Sequence, residues 1–297
     1  MEINYNSALA LESFLKSRGL GMRKRYGQNF LVNPDTRLRL ADALDARAGD
    51  AVWEIGPGLG AMTAILLNRK LQVQAFEIDT GFIGILHEFF DGETAFSLVE
   101  GDVLKTWPLQ NPAPFLLGNL PYNIAAALIG GMIEKRRFFK CMVITVQKEL
   151  ALRMAAKPGT GDYSSFSVLC ASMYRVKKLM SIHRSSFYPQ PHVDSFGVKL
   201  ELCSCPDRYP AVFYPLVRGL FASRRKIIKN NLADFLVNGF VHNGQVRKPP
   251  FINESVDDVC DYLLAQNKLS GRERAENLDI ETFFRLAQTI DDMRILQ

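Results

Sequence analysis

The stretch Ala51-Val52-Trp53-Glu54-Ile55-Gly56-Pro57-Gly58-Leu59-Gly60 decides the fold class of this 297-residue chain. Its first five residues form a short apolar run, which predicts a buried β-strand. The glycines that follow allow a tight turn and a close approach of the backbone to a ligand. Residues 61–67 continue with helical spacing. A strand, a glycine-rich loop and a helix in this order predict the ligand-binding edge of an α/β domain.

Strand-like and helix-like segments alternate on both sides of this stretch, from residue 35 to about residue 155. This alternation predicts a mostly parallel sheet. The other predicted strands are residues 73–76, 96–99, 115–117, 141–146 and 196–202, the last of which closes the sheet. Glycines, carboxylates or amides follow most of the parallel strands. Ligands bind at the carboxyl ends of the strands in open α/β sheets, so we expect polar chemistry at one edge.

The last third of the chain has a different pattern. Two prolines mark residues 203–210 as a linker, and helical segments follow at residues 212–222, 227–236, 256–265 and 282–289. We therefore predict a catalytic domain over residues 1–205 and a small helical domain over residues 206–297. The first twenty residues are expected to form a frayed or helical extension.

Composition excludes several classes of protein. Apolar residues make up 47% of the chain, which is enough for a full core and excludes disorder. The net charge is only +5, from 36 basic and 31 acidic residues, so an RNA-binding surface must come from local clusters. No apolar run reaches the roughly 20 residues that cross a bilayer. The five cysteines lack the spacing of disulfide or zinc sites. We expect a cytoplasmic protein without a metal.

The glycine-rich loop favours S-adenosylmethionine as the ligand. Its G-x-G-x-G spacing differs from the G-x-G-x-x-G of dinucleotide folds. The carboxylate of Glu54, just ahead of the glycines, would repel a pyrophosphate, whereas S-adenosylmethionine carries positive charge and no phosphate. Glu77 and Asp102 follow the next two predicted strands, where they could accept hydrogen bonds from ribose hydroxyls and from an adenine amine.

The loop Asn119-Leu120-Pro121-Tyr122 follows the fourth predicted strand, and its residue types suit alkylation of an exocyclic amine. Such an amine is a poor nucleophile because its lone pair is delocalised into the base. The Asn119 side-chain oxygen and the Leu120 carbonyl could accept both amine hydrogens and so aim the lone pair at a methyl group. Tyr122 could stack on the base, which must be unpaired or flipped out to reach this loop.

Several segments together resemble the KsgA-type ribosomal RNA adenine dimethylase family, a relative of the erythromycin-resistance methylases. The matching segments are RKRYGQNFL at 23–31, EIGPGLG at 54–60, NLPYNI at 119–124, QKE at 147–149, FYPQPHVDS at 187–195, FASRRK at 221–226 and RAENL at 274–278. They follow the family's order along most of the chain. Two departures are Ala125-Ala126, where the family usually has Ser or Thr, and residues 163–167, where it usually has Tyr-Gly-x-Leu-Ser.

The resemblance implies a Rossmann-like class I methyltransferase with a seven-stranded sheet and a C-terminal helical domain that helps to bind RNA. It implies S-adenosylmethionine-dependent dimethylation of two adjacent adenosines in a hairpin near the 3′ end of small-subunit rRNA, with the assembling small ribosomal subunit as partner. Phe187 would be the second stacking face opposite Tyr122. The implied cofactor-binding residues are Asn29, Leu31, Gly56, Gly58, Glu77, Ile78, Asp102, Val103 and Asn119.

Two basic clusters are candidates for a track that binds RNA phosphates. One cluster is Arg23, Lys24 and Arg25, and the other is Arg224, Arg225 and Lys226. Contacts of this kind position RNA but carry little sequence information. Selectivity would therefore come from RNA shape and from the flipped base.

Two alternatives remain open at this stage. One is an erythromycin-resistance-type enzyme that modifies large-subunit rRNA. The other is a binding factor that monitors small-subunit assembly and for which methylation is incidental. The intact Asn119-to-Tyr122 loop and the cofactor acids favour an enzyme. A monomer requires no additional assumption.

Overall fold

The computed structural model describes residues 3–23, 26–121, 124–203, 208–238, 241–242, 245–246 and 255–293. The chain divides into two compact units. The first unit comprises Met1–Leu152 and Tyr174–Cys203, and the second comprises Arg153–Met173 and Ser204–Gln297. The segment Arg153–Met173 therefore belongs with the C-terminal helices, whereas the sequence boundary at residue 205 assigned it to the catalytic domain.

The first unit is built on a seven-stranded sheet with the strand order β4-β3-β2-β5-β6-β9-β7. Strands β4, β3, β2, β5 and β6 are parallel, and β9 runs antiparallel to both of its neighbours. A separate two-stranded ladder joins β1 to β8. The strands of this unit are β1 Phe30–Leu31, β2 Ala51–Ile55, β3 Gln72–Glu77, β4 Phe96–Glu100, β5 Phe115–Asn119, β6 Cys141–Gln147, β7 Tyr174–Ile182, β8 Phe187–Tyr188 and β9 Ser195–Leu202.

Alternate residues of neighbouring strands supply the core of the first unit, since successive side chains of a strand point to opposite faces. Val52, Val73, Phe115 and Leu117 are buried in one cluster with residues of α2 and α3. The helices that begin in this unit are α1 Ala8–Ser17, α2 Pro34–Ala43, α3 Ala61–Asn68, α4 Thr80–Phe90, α5 Val103–Thr106, α6 Ala125–Glu134 and α7 Lys148–Met154. No helix in the described part of the chain is long and apolar enough to span a membrane.

The second unit is helical. Its helices are α8 Ser165–Met173, α9 Phe213–Leu220, α10 Ile228–Asn238, α11 Val256–Gln266 and α12 Ile280–Asp292, and its strands are β10 Val241–His242 and β11 Gln245–Val246. The segment 274–278 connects the two parts of the chain that form this unit by hydrogen bonds. The Gly159 amide donates to the Glu276 carbonyl at 2.7 Å, and the Tyr163 hydroxyl donates to the Leu278 carbonyl at 3.0 Å.

The predicted strands and helices are confirmed, but five strands were not predicted: β7 of the seven-stranded sheet and the two-residue strands β1, β8, β10 and β11. Strand β7 carries Arg175, Lys177 and Lys178, which break the apolar pattern of a buried strand. It lies at the edge of the sheet and pairs with β9 alone, so these charged side chains can reach water. The N-terminal extension is helical, as α1 shows. Four residues of the predicted linker, 204–207, lie outside the described residues.

Candidate cofactor and catalytic site

A cavity of about 340 Å³ lies at the carboxyl ends of the parallel strands β2, β3, β4 and β5. This volume is within the range of about 300–1,000 Å³ that is typical of small-molecule sites. The structure brings all of the residues in the expected cofactor set to its walls. They are Asn29, Leu31, Gly56, Gly58, Glu77, Ile78, Asp102, Val103 and Asn119.

The glycine-rich loop between β2 and α3 forms one wall of the cavity. Gly58 has a φ angle of +58°, which favours glycine over any other residue. A Cβ atom at this position would also lie 2.9 Å from the ring of Phe30, which is too close for a carbon contact. Glycine at position 58 therefore allows both the tight turn and the close packing of the Phe30 ring against the loop. This close packing brings Phe30 of the motif at residues 23–31 against the glycine-rich loop at residues 54–60.

Glu77 at the end of β3 fastens the glycine-rich loop to the neighbouring strand. Its carboxylate accepts hydrogen bonds from the backbone N–H groups of Gly58 at 3.1 Å and of Ile78 and Asp79 at 2.9 Å each. Burial raises the pKa of Glu77 to about 7, although these three N–H groups act in the opposite direction. Oε1 accepts from both Ile78 and Asp79, whereas Oε2 accepts only from Gly58 and keeps a further acceptor site, which is the chemistry that a ribose hydroxyl requires.

Asp79 and Gln28 form a connection that the sequence did not reveal. The buried Asp79 carboxylate caps α4 by accepting from the Gly81 amide, and it also accepts from the Gln28 side chain at 2.9 Å. Gln28 in turn accepts from the Arg23 amide at 2.8 Å. The segment that precedes β1 is thereby fixed against the end of β3. Gln28 belongs to the RKRYGQNFL motif, which was the available signal.

The end of β4 combines a carboxylate with apolar side chains. Asp102 caps α5 by accepting from the Leu104 amide at 3.0 Å, and it lines the cavity. Ile78 is 37% exposed and Val103 is buried, and both also line the cavity. An apolar surface beside a hydrogen-bond acceptor matches the flat face and the exocyclic amine of an adenine.

Asn119 at the end of β5 is held by hydrogen bonds from both ends of its side-chain amide. Its Nδ2 group donates to the Asn29 carbonyl at 2.7 Å, and its Oδ1 atom accepts from the Thr145 hydroxyl. Thr145 is a buried residue of β6 that lies opposite Asn119 in the parallel register. Sequence reasoning missed Thr145, although it is the one polar residue within the apolar run Cys141–Val146. The amide oxygen keeps a second lone pair for another donor.

The rest of the expected catalytic loop is only partly described. Leu120 is buried and donates its amide to the Thr145 carbonyl at 3.2 Å. Pro121 lines the cavity. Tyr122, the expected stacking residue, lies outside the described residues.

Phe187 does not occupy the position expected for a base-stacking residue. Its side chain is only 2% exposed and packs in the core cluster with Leu31 and Ile182. It is absent from the cavity walls. The reason is the ladder between β1 and β8, which pairs Phe187 with Leu31 and turns the ring toward the core. The structure therefore places Phe187 in the core, and its expected role as the second stacking face stays a prediction.

The basic residues expected to bind RNA differ in whether their side chains already pair with acidic groups of the protein. The Nε atom of Arg23 lies 3.5 Å from Oδ2 of Asp79. Lys24 and Arg25 lie outside the described residues. In the second unit, Arg224 donates to the Gly161 carbonyl and to Glu276, and Lys226 pairs with Asp234 at 2.8 Å. Arg225 is exposed and forms no ion pair with any described residue.

The sheet order, the antiparallel β9 beside β6 and the glycine-rich loop at the cavity define a Rossmann-like class I methyltransferase fold with a C-terminal helical region. A family model described as "Ribosomal RNA adenine dimethylase" matches residues 19–268. The chain belongs to the ribosomal RNA adenine dimethylase family. The expected fold class and family are thus confirmed.

Individual relatives agree with this assignment. The protein named "Ribosomal RNA small subunit methyltransferase A" of Treponema pallidum is 42% identical over 294 residues, which cover 97% of each chain. A crystal structure of a dimethyladenosine transferase from Plasmodium falciparum has 29% identity and a TM-score of 0.74, and the match covers 89% of this chain and 98% of that one. The 23S rRNA methyltransferase ErmE, at 24% identity and a TM-score of 0.60, covers 88% of this chain and 99% of its own, and it shares the fold.

Proposed function

We propose that this protein uses S-adenosylmethionine to dimethylate the exocyclic amines of two adjacent adenosines in the 3′-terminal hairpin of small-subunit rRNA, in the course of small-subunit biogenesis. The observation that carries the proposal is the position of Asn119, which lies on the wall of a cavity lined by every other residue of the expected cofactor set. The proposal includes a cytoplasmic monomer whose partner is the assembling small subunit. Similarity to relatives named as small-subunit methyltransferases over 97% of the chain supports the choice of substrate.

The cavity suits the chemistry of S-adenosylmethionine. When bound, this cofactor supplies a methyl group activated by a sulfonium. Glu77 would hold the ribose hydroxyls, while Ile78, Asp102 and Val103 would hold the adenine. The backbone around Gly56 and Gly58, together with Asn29 and Leu31, would surround the amino-acid end. The buried acids favour a ligand with positive charge over one with phosphates.

Asn119 would orient the target amine. The Asn29 carbonyl and the Thr145 hydroxyl fix the orientation of the amide, so its Oδ1 atom has a defined direction. With one lone pair taken by Thr145, this oxygen can accept one amine hydrogen, and the Leu120 carbonyl can accept the other. The amine nitrogen then directs its lone pair away from both acceptors. Positioning of this kind requires no general base.

The affinity of the protein for S-adenosylhomocysteine is expected to fall about five- to tenfold when the pH is lowered from 8 to 6. Ribose hydroxyls donate to the ionised Glu77 carboxylate, and burial raises the pKa of this group to about 7 in the unliganded protein. Below that pH, the carboxyl must lose a proton before the ligand binds. Isothermal titration calorimetry across this pH range measures the effect.

Two substitutions assign this pH dependence to one carboxyl. Burial also raises the pKa of Glu54 to about 7. The fall in affinity for S-adenosylhomocysteine at low pH should therefore persist in Glu54→Gln and disappear in Glu77→Gln. An affinity that does not change with pH in the unmodified protein would contradict the role of Glu77. The stability of the unliganded protein should change in the opposite direction. A carboxyl whose folded-state pKa exceeds its unfolded value of 4.5 destabilises the fold as the pH rises from about 4.5 to 7.

Replacing Arg225 with glutamine is expected to weaken binding to a small-subunit rRNA fragment and to reduce the slope of log affinity against log salt by about one. Arg225 has no acidic partner among the described residues, so its charge is available to a phosphate. Lys226→Gln is the matched comparison and should change the slope less, because Lys226 must first leave Asp234. Equal slopes for the Arg225 variant and the unmodified protein would mean that residue 225 is merely solvated.

The proposed function is tested by transfer of labelled methyl groups from S-adenosylmethionine to unmethylated small and large ribosomal subunits offered separately. Digestion and nucleoside analysis then identify the product, and the Asn119→Ala protein prepared in the same way excludes a contaminating enzyme. Dimethyladenosine in the small subunit alone is the expected result. Label in the large subunit would overturn it in favour of a resistance-type enzyme. Tight subunit binding without label would overturn it in favour of an assembly factor.

A further inference from the structure

Arg37 on α2 is a buried cation whose hydrogen-bond partners are all neutral. Its side chain is only 5% exposed. One Nη group donates to the carbonyls of Leu31 at 2.7 Å and Tyr5 at 3.0 Å, and the other donates to the Asn6 side-chain oxygen. Its Nε–H has no acceptor among the described residues. Burial lowers the pKa of this guanidinium, because no carboxylate compensates its charge. A buried charge without a counter-ion is costly and calls for an explanation.

The charges around the cavity show where a counter-ion would fit. Among the described residues that line the cavity, Arg37 is the only basic one, while Glu54, Glu77 and Asp102 are acidic. Arg37 binds the carbonyl of Leu31, which is itself a cavity residue of the expected cofactor set. The positive charge therefore lies at the cavity wall beside Leu31 of β1. An anionic group that enters this part of the cavity would be attracted to it, since Coulomb interactions are strong in a partly buried site.

The N-terminal segment is arranged to hold Arg37 in place. Tyr5 and Asn6 supply two of its acceptors, and the Tyr5 hydroxyl donates to the Leu59 carbonyl in the glycine-rich loop at 2.9 Å. Leu11 of α1 packs with Leu59 in one apolar cluster. This segment precedes residue 19, where the family model begins to match. The anchoring of Arg37 is thus built partly from residues outside the family-matched region.

We propose that Arg37 is the electrostatic anchor for the carboxylate at the amino-acid end of the cofactor. The proposal rests on the proposed function, since it requires S-adenosylmethionine as the ligand of this cavity. The Leu31 carbonyl and the N-terminal segment orient the guanidinium, and its unneutralised charge attracts the carboxylate. The competing explanation is that Arg37 only fastens the N-terminal segment and has no preference for an anionic ligand.

Two ligands that differ in the amino-acid end separate these explanations. S-adenosylhomocysteine carries the carboxylate, whereas 5′-methylthioadenosine keeps the adenosine and the sulfur but lacks the amino-acid end. Calorimetric affinities for both are compared in the full-length protein and in three variants. Arg37→Gln keeps a hydrogen-bond donor but removes the charge, and Arg37→Lys keeps the charge but loses the planar fork. Arg18→Gln is the matched control, because Arg18 pairs with Glu88 on the surface and does not line the cavity.

Arg37→Gln is expected to bind S-adenosylhomocysteine about tenfold more weakly and 5′-methylthioadenosine within about twofold of the unmodified protein. Arg37→Lys should retain most of the preference for the carboxylate ligand, and Arg18→Gln should match the unmodified protein for both ligands. An equal loss of affinity for both ligands in Arg37→Gln, or no loss of affinity, would overturn the proposal.

If the glutamine variant does not fold, the unmodified protein is tested with the carboxamide of S-adenosylhomocysteine, which should bind about tenfold more weakly than the carboxylate. Equal affinities would overturn the proposal. An unmodified protein that binds neither adenosyl ligand would instead overturn the proposed function itself.

Discussion

Replacing Phe187 with alanine is expected to lower the free energy of unfolding by about 3–5 kcal/mol, the usual cost of removing a buried phenylalanine ring. The ring is 2% exposed and belongs to one core cluster with Leu31, Leu40 and Leu44, so truncation leaves a cavity in that cluster. Urea unfolding followed by circular dichroism measures the change. Phe187→Leu is the matched variant and should lose about 1 kcal/mol, because most of the buried volume is retained.

The same pair of variants tests the earlier expectation of base stacking. A residue that only stacked on RNA would be dispensable for stability, so an alanine variant within about 1 kcal/mol of the unmodified protein would contradict the core assignment. Leucine fills the core but has no aromatic face. The methyl-transfer rate of Phe187→Leu therefore shows whether the ring has a second role at the target base.

Replacing Asn119 with alanine is expected to slow methyl transfer about 100- to 1,000-fold, the usual cost of removing one positioned polar group from an active site. Affinity for S-adenosylhomocysteine should fall only about fivefold, through loss of the hydrogen bond to the Asn29 carbonyl. Single-turnover rates with labelled cofactor and calorimetric affinities measure the two effects separately. A rate within tenfold of the unmodified protein would show that the amine is oriented by other groups.

Thr145 extends this test to a residue that does not touch the substrate in the proposed mechanism. Thr145→Val keeps the side-chain shape and removes the hydroxyl that donates to Asn119 Oδ1. The rate should fall about tenfold because the amide loses one of its two restraints. Thr145→Ser restores the hydroxyl and should restore most of the rate. A purely structural role would leave the valine and serine variants equally active at equal stability.

Much of the fold could be predicted because the parallel strands are short apolar runs that end in glycines or polar residues. The glycine-rich loop at residues 56–60 and the acids Glu77 and Asp102 come together for the same reason, since the carboxyl ends of parallel strands share one edge. The position of Arg153–Met173 could not be predicted. Its apolar helix α8 fits either unit by composition, and its partners α9 and α12 are distant in sequence.

The parts of the site that sequence reasoning missed depend on contacts through space. Thr145 acquires its role from the register between β5 and β6. Asp79 and Gln28 meet across 51 residues of chain, and no spacing rule connects them. Arg37 resembles any polar residue of an amphipathic helix until its burial is known. The burial of Phe187 was not predicted because the motif around it indicates a loop near the active site, whereas its pairing with Leu31 places it in the core.

The discontinuous second unit has a consequence for how the protein is made. Helix α8 has a buried face of Val168, Leu169, Cys170 and Met173, but the Tyr163 hydroxyl just before it binds a carbonyl 115 residues later. At a synthesis rate of about 5–20 residues per second, that face waits on the order of ten seconds for α12 to leave the ribosome. The first unit can close soon after residue 203, whereas the second unit can fold only after α12 has been synthesised.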